Sequence, residues 1–92
     1  MSVVLAPEAI EDLAAAVDYL TEHSPDAADR LIDRAFALFR ALEQREFEGP
    51  LQKLRNGLEV RSWPLPPFRV YYRRGTEGLV VLRVYHQARR PM

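Results

Sequence analysis

Pro25 is the residue that most narrows what this chain can fold into. Apolar residues recur at three- and four-residue spacing on both sides of it: Ile10, Leu13, Ala14, Val17 and Leu20 before, then Ala28, Leu31, Ile32, Ala35, Leu38, Phe39 and Leu42 after. That spacing marks amphipathic helix. A proline cannot sit inside one continuous helix, because its ring clashes with the preceding turn and it has no N–H to donate. The pattern therefore has to be two helices. Ser24-Pro25-Asp26 supplies the N-cap, the first-turn proline and an acidic complement to the dipole of the second. Pro7 suits the first turn of the other, where Glu8, Glu11 and Asp12 face the positive end of its dipole. Two helices joined by about two residues fold back on each other. The sequence thus predicts an antiparallel hairpin over residues 7–47, stopped by Gly49-Pro50, with His23 as a surface cation near the end of the first helix.

Such a hairpin has one apolar stripe and needs an apolar layer to lie on. After the Asn56-Gly57 turn signal the period changes to two, in runs over 58–65, 68–74 and 79–86. Gly75 and Gly78 flank the last turn. Pro64, Pro66 and Pro67 fill the first connection, where their missing ladder donors place them at a strand end or an edge. A short β-prone run, Ser2 to Leu5, precedes the first helix. The order β-α-α-β-β-β predicts an α+β fold, an antiparallel sheet with the two-helix hairpin on one face. Ninety-two residues suffice for a single domain over 1–92, with its C-terminal strands at about 58–87. Its stability margin should be thin, since so short a chain buries only about 60–65% of its unfolded surface.

Alternation sorts the strand side chains. Val80, Leu82, Val84 and His86 share one face of the last strand, and Val81, Arg83 and Tyr85 the other. Phe68, Val70 and Tyr72 oppose Arg69, Tyr71 and Arg73, while Leu58, Val60 and Ser62 oppose Glu59, Arg61 and Trp63. With the apolar sets under the helices, the open face presents Arg61, Arg69, Arg73 and Arg83 interleaved with Trp63, Tyr71 and Tyr85. Charge pairing and stacking suit such a face to an anionic or nucleic-acid ligand. The plainer reading is that arginine stems and rings cover the sheet with their charged heads in water.

The formal charge is zero, but it is sorted along the chain. Residues 1–50 hold four arginines against eleven carboxylates, a net of −7; residues 51–92 hold nine Lys and Arg against two carboxylates, a net of +7. Either the second half meets an acidic or polyanionic partner, or the two halves face each other. There is no cysteine, hence no disulfide and no thiolate chemistry. No HExxH, phosphate-cradling glycine loop or metal-ligand spacing occurs, so neither cofactor nor metal is expected. His86 is a candidate general acid or base by residue type; a histidine at a strand end more often packs there. No apolar run is long enough for a membrane span, and no leader pattern is present. A soluble, cytoplasmic protein is the expectation.

The strings LAPEAIEDL, YLTEHSPDAADRLIDR, LRNGLEVRSWPLPPFRVYYR and LVVLRVYHQARRP, in this order, resemble the RelE/ParE superfamily of toxins from type II toxin–antitoxin systems. The ending RVYHQARR resembles the ParE branch. That resemblance implies a toxin that inhibits or poisons DNA gyrase by binding, with no agreed catalytic residues. Arg83, His86, Arg89, Arg90, Arg73 and Trp63 are then the residues expected to meet the target. It also implies a cognate antitoxin whose acidic, partly disordered C-terminal segment wraps the hairpin and sheet, and a sizeable apolar patch on the free toxin. The RelE branch instead implies a ribosome-dependent mRNA endonuclease. Its two lysine positions read Val60 and Ser62 here, its third-strand arginine is Arg69, and the position after the last strand is Gln87. A nuclease site would have to be assembled from Arg69, Arg61, Arg83 and His86. A relic that binds antitoxin without activity is the third reading.

Overall fold

The computed structural model describes residues 2–76 and 78–87. Its elements are β1 (Ser2–Leu5), α1 (Pro7–His23), α2 (Pro25–Glu43), β2 (Leu51–Lys53), β3 (Glu59–Leu65), β4 (Phe68–Gly75) and β5 (Gly78–His86). The strands form one sheet in the order β1-β5-β4-β3-β2. Ala9 and Ala16 from α1 and Leu31, Ala35, Phe39 and Leu42 from α2 share one buried cluster with Leu65, Val70, Tyr72, Leu79, Val81 and Val84 of the sheet. The α+β arrangement expected from the sequence is therefore present, with both helices on one face.

Two features extend it. β1 pairs in parallel with β5 while the remaining neighbours are antiparallel. Parallel pairing needs a long crossover, and the helix hairpin with the strands that follow it provides one. Gly78 makes the contact possible: its φ is +133°, and a Cβ there would run into the Ser2 backbone. The second feature is β2, a three-residue strand on the other edge, exposed along its length.

The hairpin joins where Pro25 predicts. Ser24 Oγ accepts the Ala27 N–H at 3.3 Å, and Pro25 opens α2. The far end differs from expectation. α2 stops at Glu43, because Arg45 turns into the left-handed region at φ 60°. The released segment folds back over the sheet and stacks Phe47 on Trp63, ring centroids 4.3 Å apart.

That contact also corrects the face assignment of β3. Trp63 and Leu65 point to the helices, whereas Val60 and Ser62 face away. β4 matches its expected alternation. On β5, Tyr71 lies opposite Arg83 but Tyr72 lies opposite Val81, so Leu82 is an extra residue in a bulge. A bulge shifts the alternation by one. Val84 and His86 stay on the expected side, while upstream of the bulge Leu79 and Val81 replace Val80 and Leu82.

Phe39 stands 1% exposed in the middle of the core. Truncation to alanine should cost about 3–5 kcal/mol, read as a lowered urea midpoint with an unchanged slope.

Candidate functional site: grooves on either side of the first helix

α1 presents two flanks. On one, Asp12 reaches the β5 bulge: its carboxylate accepts from Arg83 Nε at 2.8 Å, Arg83 Nη2 at 3.0 Å and the Val84 backbone N–H at 2.9 Å. β1 ends opposite Val81, so β5 has no strand on that side beyond it, and a side chain from the helix layer takes the Val84 N–H instead. Hydrogen bonding to Asp12 raises the Arg83 pKa above its already high ordinary value, against the opposing effect of burial. The guanidinium also lies 4.3 Å from the Tyr85 ring centroid, a cation–π distance.

Beside this pair opens a groove of about 550 Å³, lined by Ala15, Ala16 and Tyr19 of α1 and by Phe68, Tyr85 and His86 of the sheet. His86 meets Phe68 edge to face at 5.5 Å. Tyr19, 62% exposed, stacks on His23 at 4.3 Å. His23 is a surface residue, with Nδ1 2.8 Å from the Tyr19 carbonyl oxygen. The other flank of α1 is apolar. Ile10, Leu13, Ala14 and Val17 line a groove of about 590 Å³ with Leu5, Ile32 and Phe36. Ile10 and Phe36 stand 55% and 49% exposed.

On the sheet face away from the helices, Arg69 Nε donates to Ser62 Oγ at 2.9 Å, and Ser62 donates to Gln52 Oε1 at 3.3 Å. Tyr71 and Tyr85 meet edge to face at 5.8 Å, and Arg73 is exposed beside them.

The residues singled out from the sequence do not form one constellation. Arg83 and His86 share the α1/β5 groove. Trp63 lies on the helix side under Phe47, not on the open face. Arg73 and Arg69 stand on that open face. Arg61 is turned the other way, donating to the Gly49 carbonyl at 2.8 Å and lying 3.5 Å from Glu48. Arg89 and Arg90 lie outside the described residues.

Two acidic residues were missed as site builders: Asp12 and Glu48. Glu48 holds Arg74 through a 2.7 Å bond from Nη2 and two longer ones from Nε, and accepts from Tyr72 Oη at 3.2 Å. The Arg74 hydrogen bond lowers the Glu48 pKa, partly opposed by burial and aided by Tyr72 and Arg61. No local signal marks either residue, since their partners lie far away along the chain. The charge sorting was the available clue: the pairs Asp12–Arg83, Glu48–Arg74 and Glu48–Arg61 all join the acidic half to the basic half. Among the described residues there is no His, Cys, Asp and Glu group that could hold a metal ion. No helix there is long and apolar enough to cross a membrane.

The fold is similar to that of a solved structure described as the chromosomal ParDE toxin–antitoxin system from P. aeruginosa. The likeness of fold has a TM-score of 0.75 at 22% identity, over 94% of this chain and 95% of that one. Curated proteins yield no match. The family is shown by the sequence itself: residues 3–91 match the profile described as ParE toxin of type II toxin-antitoxin system, parDE, and the chain belongs to that family. It is the toxin half of a two-component system, which implies an antitoxin partner.

Asp12→Ala strands both Arg83 and the Val84 N–H, and should cost about 1–3 kcal/mol. Arg83→Ala should cost less, and a double-mutant cycle should show the two effects to be non-additive. Glu48 has a folded pKa below its ordinary 4.5. Its contribution to stability is present above that value and is lost as pH falls through the folded one. Glu48→Gln should therefore flatten the acid limb of the stability–pH curve, measured by urea unfolding at stepped pH.

Proposed function

We propose that this toxin acts in the cytoplasm by binding DNA gyrase, inhibiting or poisoning it, and that its docking site is the α1/β5 groove with the cationic chain end beyond it. The observation that carries this reading is the convergence of Tyr19, Phe68, Tyr85 and His86 on one groove at the end of β5. The chain runs on from there into Arg89 and Arg90. Arg83 is held at the rim by Asp12, so it shapes the groove as much as it charges it. The nuclease alternative finds less support, because Arg61 and Arg69 lie on opposite faces of the sheet.

The antitoxin belongs on the other flank. An apolar groove bordered by exposed Ile10 and Phe36 suits the apolar face of a segment that orders on binding. Acidic residues on that segment would complement Arg69 and Arg73, which have no carboxylate partner among the described residues. Neutralisation then follows from a segment that begins in the hairpin groove and continues around the sheet.

Supercoiling of a plasmid by gyrase is the direct assay: added toxin should abolish supercoiling or accumulate cleaved DNA. Truncation after Gln87 should remove that effect and leave the far-UV spectrum unchanged. A folded truncated protein that still acts on gyrase would move the site elsewhere. If gyrase is unaffected, RNA cleavage on ribosomes becomes the assay and Arg69→Ala the first variant. Ile10→Asp should weaken antitoxin capture without changing the effect on gyrase.

A further inference from the structure

The two edges of the sheet are not equivalent. β2 is short and carries Lys53, with Arg55 just beyond it. β1 reads Ser2-Val3-Val4-Leu5, with no charge, proline or bulge. Charge, proline and bulges protect exposed edges in native sheets, and β1, four residues long, has none of these three. Its backbone is set for another strand. The Ala6 N–H donates inward to the Val81 carbonyl at 2.9 Å. Direction alternates along a strand, so Val3 and Leu5 turn their N–H and C=O groups outward.

We infer that β1 pairs with β1 of a second copy of this chain, antiparallel, with Val4 opposite Val4. In that register Val3 and Leu5 of one copy exchange hydrogen bonds with Leu5 and Val3 of the other. Val4, 49% exposed on the face away from the helices, is covered by its twin. The two-fold axis stands perpendicular to the sheet, which keeps both helix hairpins on one side and brings α2 against α2. There, Val3 and Leu5 border a groove of about 200 Å³ with Phe36, Phe39, Arg40 and Glu43. Arg40 and Glu43 have no ion-pair partner among the described residues. Across the axis each faces the opposite charge. That reciprocal match selects a second copy over an unrelated apolar strand: an isologous contact needs a surface complementary to itself, and this one carries both signs. The inference is independent of the toxin's target.

The sequence contains no cysteine, so Val4→Cys introduces a unique thiol. In a non-hydrogen-bonded antiparallel pair the Cα atoms lie about 4.5 Å apart, within disulfide reach. Mild oxidation of Val4→Cys should give a covalent dimer, while Ser2→Cys, distant from its twin in this register, should not. By sedimentation at micromolar concentration the wild type should show twice the 10.6 kDa mass of one chain. Val4→Lys should halve that mass with the far-UV spectrum unchanged. If Val4→Lys does not fold, Arg40→Glu should weaken the dimer, and Arg40→Glu with Glu43→Arg should restore it. A wild type that stays at 10.6 kDa overturns the inference. So does a dimer indifferent to Val4→Lys, or one in which Val4→Cys fails to cross-link.

Discussion

One carboxylate couples the two layers of this protein. Asp12 sits on α1, yet its three hydrogen-bond donors are all on β5, at the point where an inserted residue breaks the strand's alternation. Bulges re-aim the side chains that follow them. Here Val84 and His86 are carried onto the helix side, and α1 supplies an acceptor to the edge of β5 where β1 has ended. Beyond Val84 the strand end stays paired with β4 through Tyr85 and His86, and the Gln87 N–H donates to the Pro67 carbonyl; Asp12 holds its other edge. The shape of the α1/β5 groove is thus set from both walls by a single ion pair, partly buried and braced by a ring.

A similar arrangement recurs at the opposite end of the sheet. Glu48, on the segment freed when α2 stops early, fastens that segment to Arg74, Tyr72 and Arg61. The acidic half of the chain thereby answers part of the basic half, which reduces the long-range field that the raw charge counts suggest. Among the described residues of the basic half, Lys53, Arg55, Arg69 and Arg73 have no carboxylate partner, the last two on the open sheet face. Exposed charges are screened within about 8–10 Å at ordinary salt, so the field of these residues is short-ranged.

Much of this architecture was legible in residue order. Ser24-Pro25 fixed the hairpin, the period change after Gly57 located the sheet, and the alternation of β4 gave its faces correctly. Alternation failed where something non-local intervened. No glycine marks the bulge at Leu82, so β5 read as regular; it is Asp12 that makes the irregularity affordable. On β3 the apolar Leu58 and Val60 suggested the inward face, but Trp63 won it by stacking on Phe47, a residue that the sequence placed in a helix. β2 escaped notice because three exposed residues after a proline carry almost no pattern. Of the expected site residues, Arg83 and His86 line one groove at the edge of β5 although alternation sets them on opposite faces, whereas Trp63 and Arg61 followed the true parity of β3 and turned to the other side.

The parallel pairing of β1 with β5 has a consequence for how the molecule comes into being. Ser2 is in register with Gly78, and Leu5 with Val81, so β1 has no sheet partner until β5 has been made. Long-range pairings of this kind slow folding, and partly made chains expose apolar surface in the interval. An incomplete copy cannot close the α1/β5 groove, because one of its walls is the final strand. Timing is therefore built into the topology: β5 must be made before β1 finds its partner and before the α1/β5 groove has both its walls.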